Sequence, residues 1–123
     1  MIKVMFCLRR LPDLSSEGFQ RYWREVHGSL VRERALVLGM RRYVQSHTLP
    51  DSFNETLRRG RGGPEPYDGI AELWWDDYPS LAPEVVPLER RRAARELLED
   101  ERRFIDLARS PIFIAQEHVV LEG

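Results

Sequence analysis

Between Phe19 and His47 the chain switches from one hydrophobic period to another across a single glycine. Phe19, Tyr22, Trp23, Val26, Leu30 and Val37 recur on one side of a helix. Gly39 then stands where helices commonly end on a left-handed residue. Beyond it Tyr43, Gln45 and His47 alternate with Arg42, Val44 and Ser46, the period of a strand. Neither element buries its own apolar side, so the helix has to lie on a sheet. Its start is also marked: Ser15 is an N-cap candidate, Leu14 can staple against Phe19, and Glu17 suits the positive end of the helix dipole.

The remaining elements follow the same reasoning. Ile2, Val4, Phe6 and Leu8 share one parity and Lys3, Met5, Cys7 and Arg9 the other, predicting a first strand over 2–9. Residues 48–68 are rich in Gly and Pro and lack sustained periodicity, which predicts a long functional loop or a missed element, with a short helical turn allowed over 51–58. Gly69 to Trp75 reads as a third strand, with Ala71, Leu73 and Trp75 toward the helices and Ile70, Glu72 and Trp74 away from them. A loop or short helix over 80–87, broken by Pro83 and Pro87, leads to a second helix over 88–108 with Ala94, Leu97, Phe104 and Ala108 as its stripe. Glu99 and Arg103 form a surface pair on it. Ile112 to Leu121 is the last strand.

The order β-α-β-β-α-β defines an α+β, ferredoxin-like (split βαβ) fold: a four-stranded antiparallel sheet with both helices on one face. Strands rich in Val, Ile, Trp and Met do not leave the opposite face bare in water; the simplest cover is a homodimer closing two sheets into a barrel-like core, and a flanking loop is the alternative.

With 123 residues, 42% of them hydrophobic, the chain supports one core, so a single domain over 1–123 is expected. The 19 basic and 20 acidic residues are interspersed, which argues against a nucleic-acid partner. All the basic residues except Lys3 are arginines. No apolar run approaches the roughly 20 residues that span a bilayer, no secretory leader is evident, and the single Cys7 rules out an internal disulfide; the expectation is a cytoplasmic protein with no membrane contact. Three histidines and one cysteine lack metal-ligand spacing, and Gly60-Arg61-Gly62-Gly63-Pro64 lacks the Lys and Ser/Thr of a phosphate loop. No metal or cofactor is expected.

Five spaced motifs run through nearly the whole chain: Phe19-x-x-Tyr22-Trp23-x-x-x-His27, Arg41-Arg42-Tyr43-Val44-Gln45-x-His47, Tyr67-Asp68-Gly69-x-x-Glu72-Leu73-Trp74, Asp100-Glu101-x-Arg103-Phe104-x-Asp106, and Glu117-His118. Together they resemble the EthD family of the dimeric α+β barrel superfamily. The loop over 48–67 is longer than in compact members. The resemblance implies a homodimer with a pocket between sheet and helices that takes a small-molecule ligand or substrate. Relatives within that superfamily include lactone isomerases and polyketide cyclases or dehydratases that use no metal or redox cofactor.

Against that background His27, His47 and Glu72 are the candidate catalytic residues. His27 lies at the edge of the helical stripe, where its imidazole can reach a pocket or fill a packing defect. His47 ends the polar parity of its strand and either exchanges protons or anchors the following loop. Glu72 sits in an otherwise apolar strand, where a carboxylate must be solvated, paired or functional. Tyr43, Gln45 and Trp74 offer pocket walls, Asp100 and Phe104 line the pocket from the second helix, and His118 is a weaker candidate that suits a dimer contact equally well. The leading expectation is a cofactor-independent isomerase, cyclase or dehydratase acting on a small cyclic or carbonyl metabolite by general acid/base catalysis. The alternatives are a non-catalytic binder of an apolar metabolite and a haem-using, oxygenase-like member of the superfamily.

Overall fold

A computed structural model of the chain describes residues 1–77 and 86–123. The loop or short helix expected over 80–87 therefore falls largely outside the described residues.

Four strands, β1 (Ile2–Leu8), β2 (Arg42–His47), β3 (Gly69–Trp75) and β4 (Ile112–Ala115), form one sheet in the order β2-β3-β1-β4, with every neighbouring pair antiparallel. This is the ferredoxin-like order, since β1 and β3 occupy the centre. One long helical stretch joins β1 to β2 and comprises α1 (Ser16–Arg21), a π-helical turn (Tyr22–His27) and α2 (Gly28–Leu38). The exposed α3 (Phe53–Arg61) follows β2, and α4 (Leu88–Glu101) precedes β4.

Strand parity decides which side chains meet the helices. Val4, Phe6 and Leu8 of β1 and Ala71, Leu73 and Trp75 of β3 pack under them, as expected. Two continuous patches result: one joins Val31 and Leu38 to Trp75 and Leu97, the other joins Phe19 and Trp23 to Leu8 and Phe104. Phe19, Trp23 and Phe104 are wholly buried, each contributing about 2 kcal/mol or more of hydrophobic stabilisation. The close approach of the helix to β3 requires Gly69: a Cβ there would lie 2.4 Å from the Trp23 ring and 2.7 Å from the Ser46 carbonyl oxygen.

Both helix signals hold at the atomic level. Ser15 Oγ accepts from Gly18 N at 3.0 Å, and Leu14 packs against the patch containing Phe19. Gly39 adopts φ 71°, and Met40 N reaches back to Ala35 O at 3.0 Å, closing the helix in a Schellman-type turn. Arg90 Nε adds a bond to Val37 O at 2.9 Å, tying α4 to the end of α2.

Three elements differ from expectation. The second helix ends at Glu101 rather than at 108, because Leu11 N donates to Phe104 O at 3.0 Å and Arg10 bridges Ile105, which draws the chain onto the end of β1. Its buried positions are Ala93, Leu97 and Asp100: of the expected stripe Leu97 and Phe104 are buried, while Ala94 and Ala108 are exposed and an acid takes a core position. The last strand stops at Ala115 because pairing with β1 runs out at Lys3, leaving His118 exposed beyond it. Within 48–68 the allowed helical turn is a full helix, α3, ended by Gly62 at φ 61°.

Candidate active site

The site begins with an irregularity in the first helix. Across Tyr22–His27 the hydrogen bonding is π-helical, and Gly28 N donates to Trp23 O. A step of four residues overshoots a 3.6-residue turn and undershoots the wider π turn. Phe19, Trp23, His27 and Val31, each four apart, therefore stay on the buried side. The same shift turns Val26, expected in the stripe, out to solvent. Gln45 Nε2 also donates to Trp23 O at 2.9 Å, so β2 supports the π turn from the sheet side.

His27 and Tyr22 converge on Asp100 of α4. His27 Nδ1 lies 2.8 Å from Asp100 Oδ2, and Tyr22 donates its hydroxyl to Asp100 Oδ1. Arg103 Nη1 reaches the same Oδ1 at 3.2 Å from the exposed side. His27 and Asp100 are each only 4% exposed. Burial alone would raise the Asp100 pKa, but the bonds from Tyr22 and His27 outweigh it and hold the carboxyl below its ordinary value. Burial also lowers the His27 pKa, with Asp100 opposing it in part. At neutral pH the pair is thus a neutral imidazole against a carboxylate. An ionised carboxylate only accepts, so Nδ1 carries the hydrogen and the Nε2 lone pair is left available as a base.

That lone pair faces a second acid. His27 Nε2 is 4.0 Å from Glu101 Oε2. Glu101 is raised from 4.5 to about 7, first by burial and then by the adjacent Asp100 charge. A neutral base and a half-protonated acid therefore flank one space. It is a cavity of about 20 Å³, enough for one water, walled by Phe6, Trp23, Tyr43 and Leu97 among others. Glu101, Leu73 and Leu97 also line an apolar groove of about 340 Å³ between α4 and the sheet, completed by Met40, Trp75 and Ile112. That volume falls in the range of small-molecule pockets.

The predicted residues divide among four places. His27 and Asp100 form the centre, and Phe104 packs its ring 5.0 Å from the His27 ring. His47 faces the same side of the sheet but is stacked on Trp23 at 4.3 Å, with Nε2 bonded to Gln45 Oε1 at 2.8 Å. Tyr43 and Gln45 form the intervening network: the Tyr43 hydroxyl oxygen accepts from Trp23 Nε1 at 3.2 Å and from Gln45 Nε2 at 2.9 Å. Glu72 and Trp74 point to the opposite, helix-free face, where Lys3 Nζ pairs with Glu72 at 3.1 Å and Lys3 and Arg42 lie over the Trp74 ring. The pleat separates them from His27, since Val4 and Leu73 face the helices while Met5 and Glu72 alternate away. His118 lies beyond β4 and joins neither group.

Sequence reasoning passed over Tyr22, taken only as part of the apolar stripe, and Glu101. A signal for the acids existed: Ala93, Leu97 and Asp100 fall at i, i+4 and i+7, which makes Asp100 a core position and Glu101 its neighbour at the rim. Among the described residues no group of three or more His, Cys, Asp or Glu is placed to hold a metal ion, and no helix is long and apolar enough to cross a membrane.

The family model described as "EthD domain" matches residues 11–108, spanning both helices and the whole His27–Asp100–Glu101 cluster. The chain belongs to the EthD domain family. Solved structures share the fold of this EthD-family chain. A Bacillus halodurans C-125 protein of the ethyl tert-butyl ether degradation (EthD) family is 18% identical, with TM-score 0.61 over 96% of this chain and 99% of that one. HapK from Hahella chejuensis is 9% identical, with TM-score 0.57 over 100% of both chains. A putative antibiotic biosynthesis monooxygenase from Deinococcus radiodurans is 14% identical, with TM-score 0.53 over 100% of both. No curated protein matches the EthD-family chain in sequence. At these identities the likeness establishes the ferredoxin-like fold, and the chemistry rests on the site itself.

Proposed function

We propose that the chain is an enzyme catalysing a proton-transfer reaction, an isomerisation, cyclisation or dehydration, on a small cyclic or carbonyl compound that enters the apolar groove. The observation that carries the reading is the 4.0 Å separation of His27 Nε2 and Glu101 Oε2 across a small, apolar-walled cavity. One group supplies a lone pair and the other exchanges a proton near pH 7. Asp100 holds the His27 tautomer and stabilises the imidazolium formed on proton abstraction. The apolar walls exclude water, which strengthens both effects.

Deuterium exchange tests this whatever the eventual product. A panel of small lactones, cyclic ketones and β-dicarbonyl compounds, incubated with the protein in D2O, is expected to include one whose carbon acid exchanges catalytically. His27→Ala should slow that exchange by ~10²–10⁴-fold. A compound that binds in the groove and exchanges equally fast with His27→Ala would leave a binding protein rather than an enzyme.

We also propose that residues 1–123 act as one domain that pairs with a second copy through the helix-free sheet face. Phe113 on that face is 49% exposed, and Val120 and Leu121 just beyond β4 are almost fully exposed. Pairing would remove this apolar surface from water. Light scattering should give twice the 14.5 kDa of one chain; a stable particle of 14.5 kDa would exclude the dimer.

A further inference from the structure

On the other side of the first helix lies a second, chemically opposite cavity. About 400 Å³ in volume, it runs between the π turn with α2 and the edge strand β2. Arg24 and Arg32 line it from the helix and Arg41 from the residue before β2, with Ser29 and Gln45 between them. No carboxylate lines it among the described residues. Arg24 and Arg32 form no ion pair with any described residue, and Arg41 has only an exposed contact to Asp76 at 3.7 Å. Such a contact contributes little. Arg42 borders the groove at the start of β2, but its guanidinium lies over the Trp74 ring on the helix-free face and is not one of the groove's cations. Three arginines around one concavity, with only the exposed Asp76 contact between them, stand out in a chain whose formal net charge is -1.

Guanidinium groups present planar, two-pronged donors that match carboxylate and phosphate oxygens. β2 is an edge strand, so its outer row of backbone N–H groups is unpaired within the sheet. The π turn contributes as well: it spans Arg24, and Gln45 fixes it against β2, so Arg24 is held at a set distance from the strand.

We propose that this groove is a binding site for a small polyanion, a molecule carrying a phosphate or at least two carboxylates. It is a separate site from the His27 cavity, with which it shares only the Val31 and Tyr43 walls. The proposal therefore stands or falls apart from the proton-transfer reading. Arg24, Arg32 and Arg41 are exposed, so substituting them leaves the core intact.

Isothermal titration with pyrophosphate, inorganic phosphate and citrate, each at constant ionic strength set with sodium chloride, tests it. Saturable one-site binding of at least one probe is expected. The combined Arg24→Gln and Arg32→Gln variant should weaken that binding tenfold or more, whereas His27→Ala should leave it unchanged. Preference for pyrophosphate over citrate, or the reverse, identifies the ligand as a phosphate ester or a polycarboxylate. Absence of saturable binding by all three probes would overturn the proposal. So would binding that survives in the double arginine variant, or binding lost in His27→Ala.

Discussion

Replacing Asp100 by Asn should abolish most proton-transfer activity while leaving the fold in place. The Asn side chain keeps an oxygen to accept from Tyr22, but it presents an amide N–H₂ where the second carboxylate oxygen accepts from His27 Nδ1. Two donors cannot share that bond, so the imidazole moves its hydrogen to Nε2. The lone pair then points at residue 100, and the face toward Glu101 carries a hydrogen instead of a base. A loss of ~10²–10⁴-fold in catalysed exchange is expected, because both the tautomer and the charge that stabilises imidazolium are gone. Folding stability should fall by about 2 kcal/mol, as a charge-assisted network in a buried site becomes a neutral one. The ¹⁵N shifts of His27 report the tautomer without any substrate. Unchanged ring shifts together with unchanged exchange would remove Asp100 from the mechanism.

Replacing Glu101 by Gln should change how stability depends on pH, and the sign follows from the direction of its shift. Glu101 titrates at about 7 in the folded chain against 4.5 as a free side chain. Between those values the folded state holds a proton that the unfolded state has released. Stability from this group is therefore complete below about pH 4.5 and lost as pH rises to 7. The loss is about 3 kcal/mol when the carboxylate is fully ionised. His27 acts in the opposite sense: its depressed pKa costs stability as pH falls below its ordinary 6.5. In the wild type the two oppose each other across that interval. In Glu101→Gln the two depressed histidines, His27 and His47, remain, so stability should increase with pH from 5 to 7 and exceed wild type at pH 8 by about 3 kcal/mol. Urea denaturation of both proteins at pH 5, 6.5 and 8 measures the difference; a gap that does not widen with pH would show that Glu101 is ionised in the fold.

The fold was largely legible in the sequence because it depends on alternation and caps. Val4, Phe6 and Leu8, then Ala71, Leu73 and Trp75, face the helices as their parity requires, and Ser15 and Gly39 bound the helix through local hydrogen bonds and a backbone angle. The site was legible only in part. His27 and Asp100 were both selected, but as separate candidates, since nothing local relates residue 27 to residue 100. Glu72 shows the opposite case: a carboxylate in an apolar strand suggested a functional group, but the parity that directs it away from the helices places it on the other face, paired with Lys3. His47 falls on the pocket side as its parity implies, but Trp23 and Gln45 occupy its ring face and its Nε2.

The sequence by itself determined the element order, the caps and the faces of the inner strands, because these follow from neighbouring residues and a fixed period. Only the tertiary structure decided that Tyr22, His27, Asp100 and Glu101 lie together. Their meeting depends on a π turn that resets the helical phase and on an acid occupying a core position of α4. Neither carries an apolar signature, and the electrostatics that fix their protonation arise only once burial has removed water from around all four.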